Sequence, residues 1–217
     1  MVKRSLLFIG LSTILASGLQ ANNLINGSFE TGDFSGWTVS GSAVVCAGGD
    51  SFCGVPFDGT FSATLNGGDV TPDAVIDQTF ATTPGTVYRL TFAYGIMDFV
   101  GGAAQQLRAE IISSVGGVHD LLDQTVSSPT SVNAGDAVNA AVNYGLFTFT
   151  FTADDTSATL QFSDLASNPS GSIDGKLDAV SIDVVPEPSS LLLMLTGIAP
   201  LAYWRRKLSL GWPKLNR

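Results

Sequence analysis

Three phenylalanines set two residues apart, Phe147, Phe149 and Phe151, alternate with Leu146, Thr148, Thr150 and Thr152 and constrain this chain more than any other feature. Successive side chains of an extended strand point to opposite faces, so this spacing predicts a strand with one face buried and one wet. The same period returns where Tyr88, Leu90, Phe92 and Tyr94 alternate with Val87, Arg89, Thr91 and Ala93. Shorter strands are predicted around Ala63 and Leu65, over 75–80 and 107–111, at Leu160 and Phe162, and at Val180, Ile182 and Val184, with Gly, Asn, Asp and Pro clusters between them. No stretch of this central region carries a sustained apolar stripe at helical spacing. Many short strands separated by turns predict an all-β sandwich of jelly-roll type. The connection over 127–144, rich in Ser, Asn, Ala and Gly, reads as a mobile surface excursion.

The two ends of the chain follow different rules. Lys3 and Arg4 precede a short apolar run over 5–16, the pattern of a secretory signal peptide, with small residues that permit cleavage after Gly18 or after Ala21. At the other end, Pro186-Glu187-Pro188 precedes an apolar run over 191–204 and then Arg205-Arg206-Lys207. The prolines keep the segment before Ser189 extended, and the basic triplet resists translocation. These three ordered elements resemble the PEP-CTERM sorting signal. The resemblance implies cutting near Pro-Glu-Pro by an exosortase-type membrane protease and delivery to the cell surface or the extracellular matrix. A helix from 189 to 204 would be about 24 Å long against a hydrocarbon core of roughly 30 Å, which suits a transient anchor better than a permanent span. The predicted organisation is a signal peptide over 1–21, a β-sandwich domain over 22–185, a sorting and anchor segment over 186–207 with a hydrophobic helix, and a cytoplasmic-side tail over 208–217 that carries Lys214 and Arg217.

Export makes a disulfide between Cys46 and Cys53 permissible, and two cysteines allow one pairing. The short Gly-rich loop it would close predicts a stabilisation of roughly 2–3 kcal/mol. Charge narrows the partners further. The formal net charge is −9, and between residues 22 and 185 the only cations are Arg89, Arg108 and Lys176. Such a surface repels nucleic acid and leaves carboxylates free for solvation, turn chemistry or hard cations.

The segments Asn23-Leu24-Ile25-Asn26-Gly27-Ser28-Phe29-Glu30, Gly36-Trp37, Ala81-Thr82-Thr83-Pro84-Gly85-Thr86-Val87-Tyr88 and Leu177-Asp178-Ala179-Val180-Ser181-Ile182 are similar, in that order, to the choice-of-anchor C proteins. Their pattern is close to the galactose-binding-like sandwich and to some carbohydrate-binding modules. The resemblance implies first and last strands that meet, and a structural calcium ion held by Glu30 and Asp178, with backbone carbonyls completing its oxygen shell. Read from the residues alone, Glu30 is an exposed turn residue and Asp178 a strand-face carboxylate near Lys176.

Parts for catalysis are few. His119 is the only histidine and falls in Gly116-Gly117-Val118-His119-Asp120, a hairpin tip, without a nucleophile elbow or a metal-ligand motif. Asp154-Asp155 reads as turn chemistry, since adjacent carboxylates on a strand face opposite ways. Trp37 is the one Trp of the central region and reads as core ahead of ligand platform, and Tyr94, Phe99 and Tyr144 are the other candidate exposed rings. The expectation is a non-enzymatic, surface- or matrix-sorted sandwich that binds exopolysaccharide, with signal peptidase and an exosortase-type protease as processing partners. A purely structural matrix protein is the alternative, and a carbohydrate-active enzyme the third reading.

Overall fold

The computed structural model describes residues 23–51, 53–66, 74–99, 101–133, 139–165 and 173–186. Among them it contains ten strands and no helix: β1 (Thr38–Ser40), β2 (Ala43–Ala47), β3 (Phe61–Leu65), β4 (Val75–Ala81), β5 (Val87–Asp98), β6 (Gln106–Ser113), β7 (His119–Ser127), β8 (Asn143–Thr152), β9 (Ser157–Leu165) and β10 (Ile173–Val184). They form two antiparallel five-stranded sheets, ordered β1-β4-β9-β6-β7 and β2-β3-β10-β5-β8. The pairs β6 with β7, β5 with β8, β4 with β9 and β3 with β10 are nested one inside the next. A long hairpin rolled up on itself produces this nesting, and it is the topology of a jelly roll.

The alternating rings meet between the sheets. Phe92 stacks on Phe147 and meets Phe162 of the opposite sheet edge-on, with centroids 5.0 Å apart in the second pair. Tyr88 stacks on Phe151, and Phe80 crosses to the same ring from the other sheet. Such ring pairs add about 0.5–1.5 kcal/mol each beyond the area they bury. Trp37 belongs to this core: it packs between Phe29 and Phe162, and its Nε1–H donates to the Asn26 carbonyl at 3.1 Å. The first segment of the domain lies along the last strand, with Asn23 N–H donating to Ile182 O and Val180 N–H to Gly27 O.

Three strands escape the alternation rule. β1 and β2 are short and lie at sheet edges, and β7 begins at His119, inside what reads as a turn. β5 alternates only in its first half. From Phe92 to Asp98 every residue is buried, because a second layer covers the outer face. That layer includes Ala140 and Val142, which pack with Phe99 against Met97. The connection after β7 is likewise not a free excursion at its start. Ser128 N–H donates to Gln105 O, Ser131 N–H to Ala103 O, and the Ser131 hydroxyl to Asp98 Oδ2, so 128–131 prolongs the β6–β7 pairing. The expected signal helix and C-terminal hydrophobic helix lie outside the described residues, among which no helix is long and apolar enough to cross a membrane.

Candidate functional site

Glu30 and Asp178, 148 positions apart in the chain, converge on the loop over 57–61. Each is flanked by a residue in the left-handed region, Phe29 (φ 58°) before Glu30 and Ala179 (φ 50°) after Asp178, where the β5–β10 register also shifts. A side chain rarely adopts that conformation without compensation, and here the compensation is a set of backbone donors. Asp178 Oδ2 accepts from the N–H groups of Phe57 (2.9 Å) and Asp58 (3.0 Å), and Oδ1 from Ala179 N–H. Glu30 Oε1 accepts from Thr60 and Phe61 N–H at 3.0 Å each. Between the two sets stands Gly59, left-handed at φ 64°, where an added Cβ would run into the Glu30 carboxylate. Burial pushes the Asp178 carboxyl up to about 6, against the pull of the three N–H groups, and the nearby negative charge of Glu30 pushes the same way. Among the described residues no cationic side chain pairs with either carboxylate.

A second acidic group was not apparent from the sequence. Glu110, Asp120 and Asp123 bring one oxygen each within 4.8 Å of one another on β6 and β7. Arg108 already occupies this cluster, with ion pairs of 2.9 Å to both Glu110 and Asp123. Its guanidinium holds Asp123 below the usual carboxylate range, while burial raises Glu110.

His119 is exposed, as its turn-like surroundings suggest, but it is not alone. Nε2 lies 2.8 Å from Asp154 Oδ2, Nδ1 lies 2.9 Å from Gly117 O, and Ser113 donates to Asp154 Oδ1 at 2.6 Å. Serine, carboxylate and imidazole are thus together in the wrong order for nucleophilic catalysis. The carboxylate takes the serine proton's hydrogen bond, so the imidazole is not placed to receive that proton. Asp154 and Asp155 both lie in the turn between β8 and β9, where Asp155 Oδ1 accepts from Thr156 N–H.

Cys46 and Cys53 form the disulfide, with Cα atoms 5.4 Å apart. It closes a loop on the outer face of the β2-β3-β10-β5-β8 sheet, and Gly54 sits directly over Lys176 and Met97. Of the candidate exposed rings, Tyr94 is fully buried in the core, because its strand position is an inward one. Phe99 packs with the second layer, and Tyr144 lies half-buried on the outer face. Pro186 is exposed at the end of β10, while Glu187, Pro188, Arg205, Arg206 and Lys207 lie outside the described residues.

No protein-family model matches the chain, and no curated protein matches it in sequence. The fold has solved counterparts. The carbohydrate-binding module TmCBM61, solved in complex with β-1,4-galactotriose, is 18% identical and aligns over 76% of this chain and 99% of its own, with a TM-score of 0.56. A CBM4 structure is 16% identical over 75% of this chain and 99% of its own (TM-score 0.47), and a CBM22 xylan-binding domain 12% identical over 77% and 98% (TM-score 0.48). The class defined by fold is therefore the two-sheet β-sandwich that TmCBM61 also adopts.

Proposed function

We propose that this chain is an exported, non-catalytic polysaccharide-binding protein, delivered to the cell surface or the extracellular matrix by a PEP-CTERM type signal and built on a choice-of-anchor C-like domain. The observation that carries the reading is the alignment of its sandwich with nearly the whole of a module that was solved with a galacto-oligosaccharide bound. A shared fold alone does not transfer a ligand, so the site must supply the rest. The acidic surface disfavours anionic partners, and the Ser113–Asp154–His119 order disfavours acyl transfer. A structural calcium ion belongs to the same proposal. Two like-charged carboxylates face one loop without a cationic side chain between them, and a hard divalent cation there would compete with the backbone N–H groups from which both now accept. Glu30 and Asp178 would hold it, and its charge would tie the first segment of the domain to the last strand.

The deciding experiment is a glycan array probed with the exported protein, with and without calcium. Binding to neutral glycans supports the reading, and an array without a single calcium-dependent or calcium-independent hit favours the structural matrix protein. Intact-mass analysis from the native host tests the sorting half. A mature species that retains Lys3, or the Arg205-Arg206-Lys207 cluster, removes the corresponding signal from the proposal.

A further inference from the structure

We infer that the outer face of the β2-β3-β10-β5-β8 sheet carries a platform for a neutral polysaccharide chain, centred on Phe57, Tyr144 and Leu146. The inference rests on the polysaccharide-binding reading above and places it on residues. Tyr144 and Leu146 lie opposite Gly95 and Ala93 of β5, which in turn lie opposite Lys176 and Asp178 of β10. Ala93 and Gly95 are themselves buried under the second layer, so what stays wet on this face is the set of side chains around them, Val55, Phe57 and Leu146, with Tyr144 half-buried. Nothing larger fits at Gly95, where an added Cβ would come within 2.7 Å of the Asn143 carbonyl.

Phe57 stands on the loop side of this face, against Tyr144. Its N–H is held by Asp178 Oδ2 at 2.9 Å, and its ring meets Tyr144 edge-on at 5.6 Å and 70°. The Tyr144 hydroxyl donates to Val55 O at 3.1 Å, so the two rings are fixed by hydrogen bonds to the strand and to the loop. Yet Phe57 is 46% exposed, Leu146 60% and Val55 43%. Among the described residues Phe57 is the one exposed aromatic ring, and with Val55 and Leu146 it leaves large apolar side chains wet on this face, the kind of surface that marks binding. Rigid aromatic walls take the apolar C–H face of a pyranose ring, and hydroxyl partners beside them orient its edges. Those partners follow along the same face. Thr91 lies between Thr148 and Ser181, and Arg89 between Thr150 and Asp183.

The rim selects the ligand by charge. Asp58 adjoins Phe57 in the loop and Glu30 is held a little further along it by Thr60 and Phe61 N–H, while Lys176 is fully buried and Arg89, the exposed cation of this face, stands opposite Asp183. A uronate, sulfate or phosphate polymer would meet like charge there, whereas a neutral glycan loses nothing.

Affinity electrophoresis of the full chain through gels containing β-1,4-galactan or xylan, against gels containing polygalacturonate, tests the platform. Retardation is expected only by a neutral polymer. Phe57→Ala and Leu146→Asp should each weaken it by about tenfold or more, the loss typical of a central contact, while Phe57→Tyr should retain it. Thermal melts of each variant show that the sandwich persists. If both weakening variants fold and bind like the unaltered protein, the platform is wrong although polysaccharide binding stands. Retardation by polygalacturonate alone overturns the charge selection and the platform with it. If no glycan on the array and neither neutral polymer binds the unaltered protein, the proposed function itself fails.

Discussion

Lys176 is the residue whose environment departs furthest from its type. It is fully buried, and its Nζ donates to the Thr64 hydroxyl, itself buried. Burial lowers its pKa, with Asp174 opposing the change. The Thr64→Val replacement keeps the β-branched shape and deletes this acceptor. It should cost about 1–3 kcal/mol in denaturant unfolding, because a buried donor loses a partner it cannot replace with water. His119 provides a titration. Its pKa is raised above the ordinary 6.5 by the Gly117 carbonyl and by Asp154, with Asp120 adding to the effect. A group raised on folding binds more protons when folded. Its contribution is therefore complete below the ordinary value and disappears as pH rises through the raised one. The urea midpoint of the native protein should fall from about pH 6 to about pH 8 more steeply than that of Asp154→Asn, which removes the carboxylate that faces the ring. Parallel curves for the two proteins would remove His119 from this linkage.

At the scale of elements, the disulfide loop and the β10 bulge act on the same face. Cys46 lies within β2 and Cys53 in the loop, which is held further by Gly48 N–H to Thr60 O and Val55 N–H to Ala140 O. Closing an eight-residue loop should stabilise the native state by about 2–3 kcal/mol through the unfolded chain. Paired Cys46→Ser and Cys53→Ser replacement should lower the unfolding free energy by that amount in an oxidising buffer. Gly54→Ala should cost stability too: its backbone is left-handed (φ 70°), and the new Cβ would meet Val142 at 2.9 Å. Because the same loop carries Val55 and Phe57, both changes should also weaken glycan retardation, which a simple loss of global stability would not do well below the melting point. Asp178 faces this loop by the ordinary alternation of β10, two residues on from Lys176, and the register shifts just after it, between Asp178 and Ser181, where Val180 N–H turns to Gly27 O instead of to the ladder.

At the scale of the whole molecule, calcium should raise the melting temperature, since a ligand bound only by the native state adds about 2.7 kcal/mol at a hundred times its dissociation constant. Magnesium should do less, being smaller and more strictly octahedral. Asp178→Ala should abolish the shift and Glu30→Ala should weaken it. Asp120→Ala should leave it unchanged, and this variant separates the two acidic groups, because Asp120 belongs to the one that Arg108 already occupies. A shift lost in Asp120→Ala and kept in Asp178→Ala would move the site to β6 and β7.

Periodicity alone was enough for the sandwich. The period-two rings of β5 and β8 mark strands that face a core, because side-chain direction on a strand is a local property of the backbone. The same local rule could not find β1, β2 or β7, which are short, lie at edges or are largely exposed, and are strands only through the neighbours that pair with them. It also left Tyr94 and Tyr144 looking alike, although one points inward and the other outward. The disulfide was legible because two cysteines leave one choice. That Glu30 and Asp178 share a loop was suggested only by resemblance, and its cause is tertiary: a rolled hairpin brings the first segment against the last strand, and both carboxylates meet the backbone of 57–61. Phe57 had no mark in the sequence, since the loop that presents it is held by a hydrogen bond from its N–H to a residue 121 positions away.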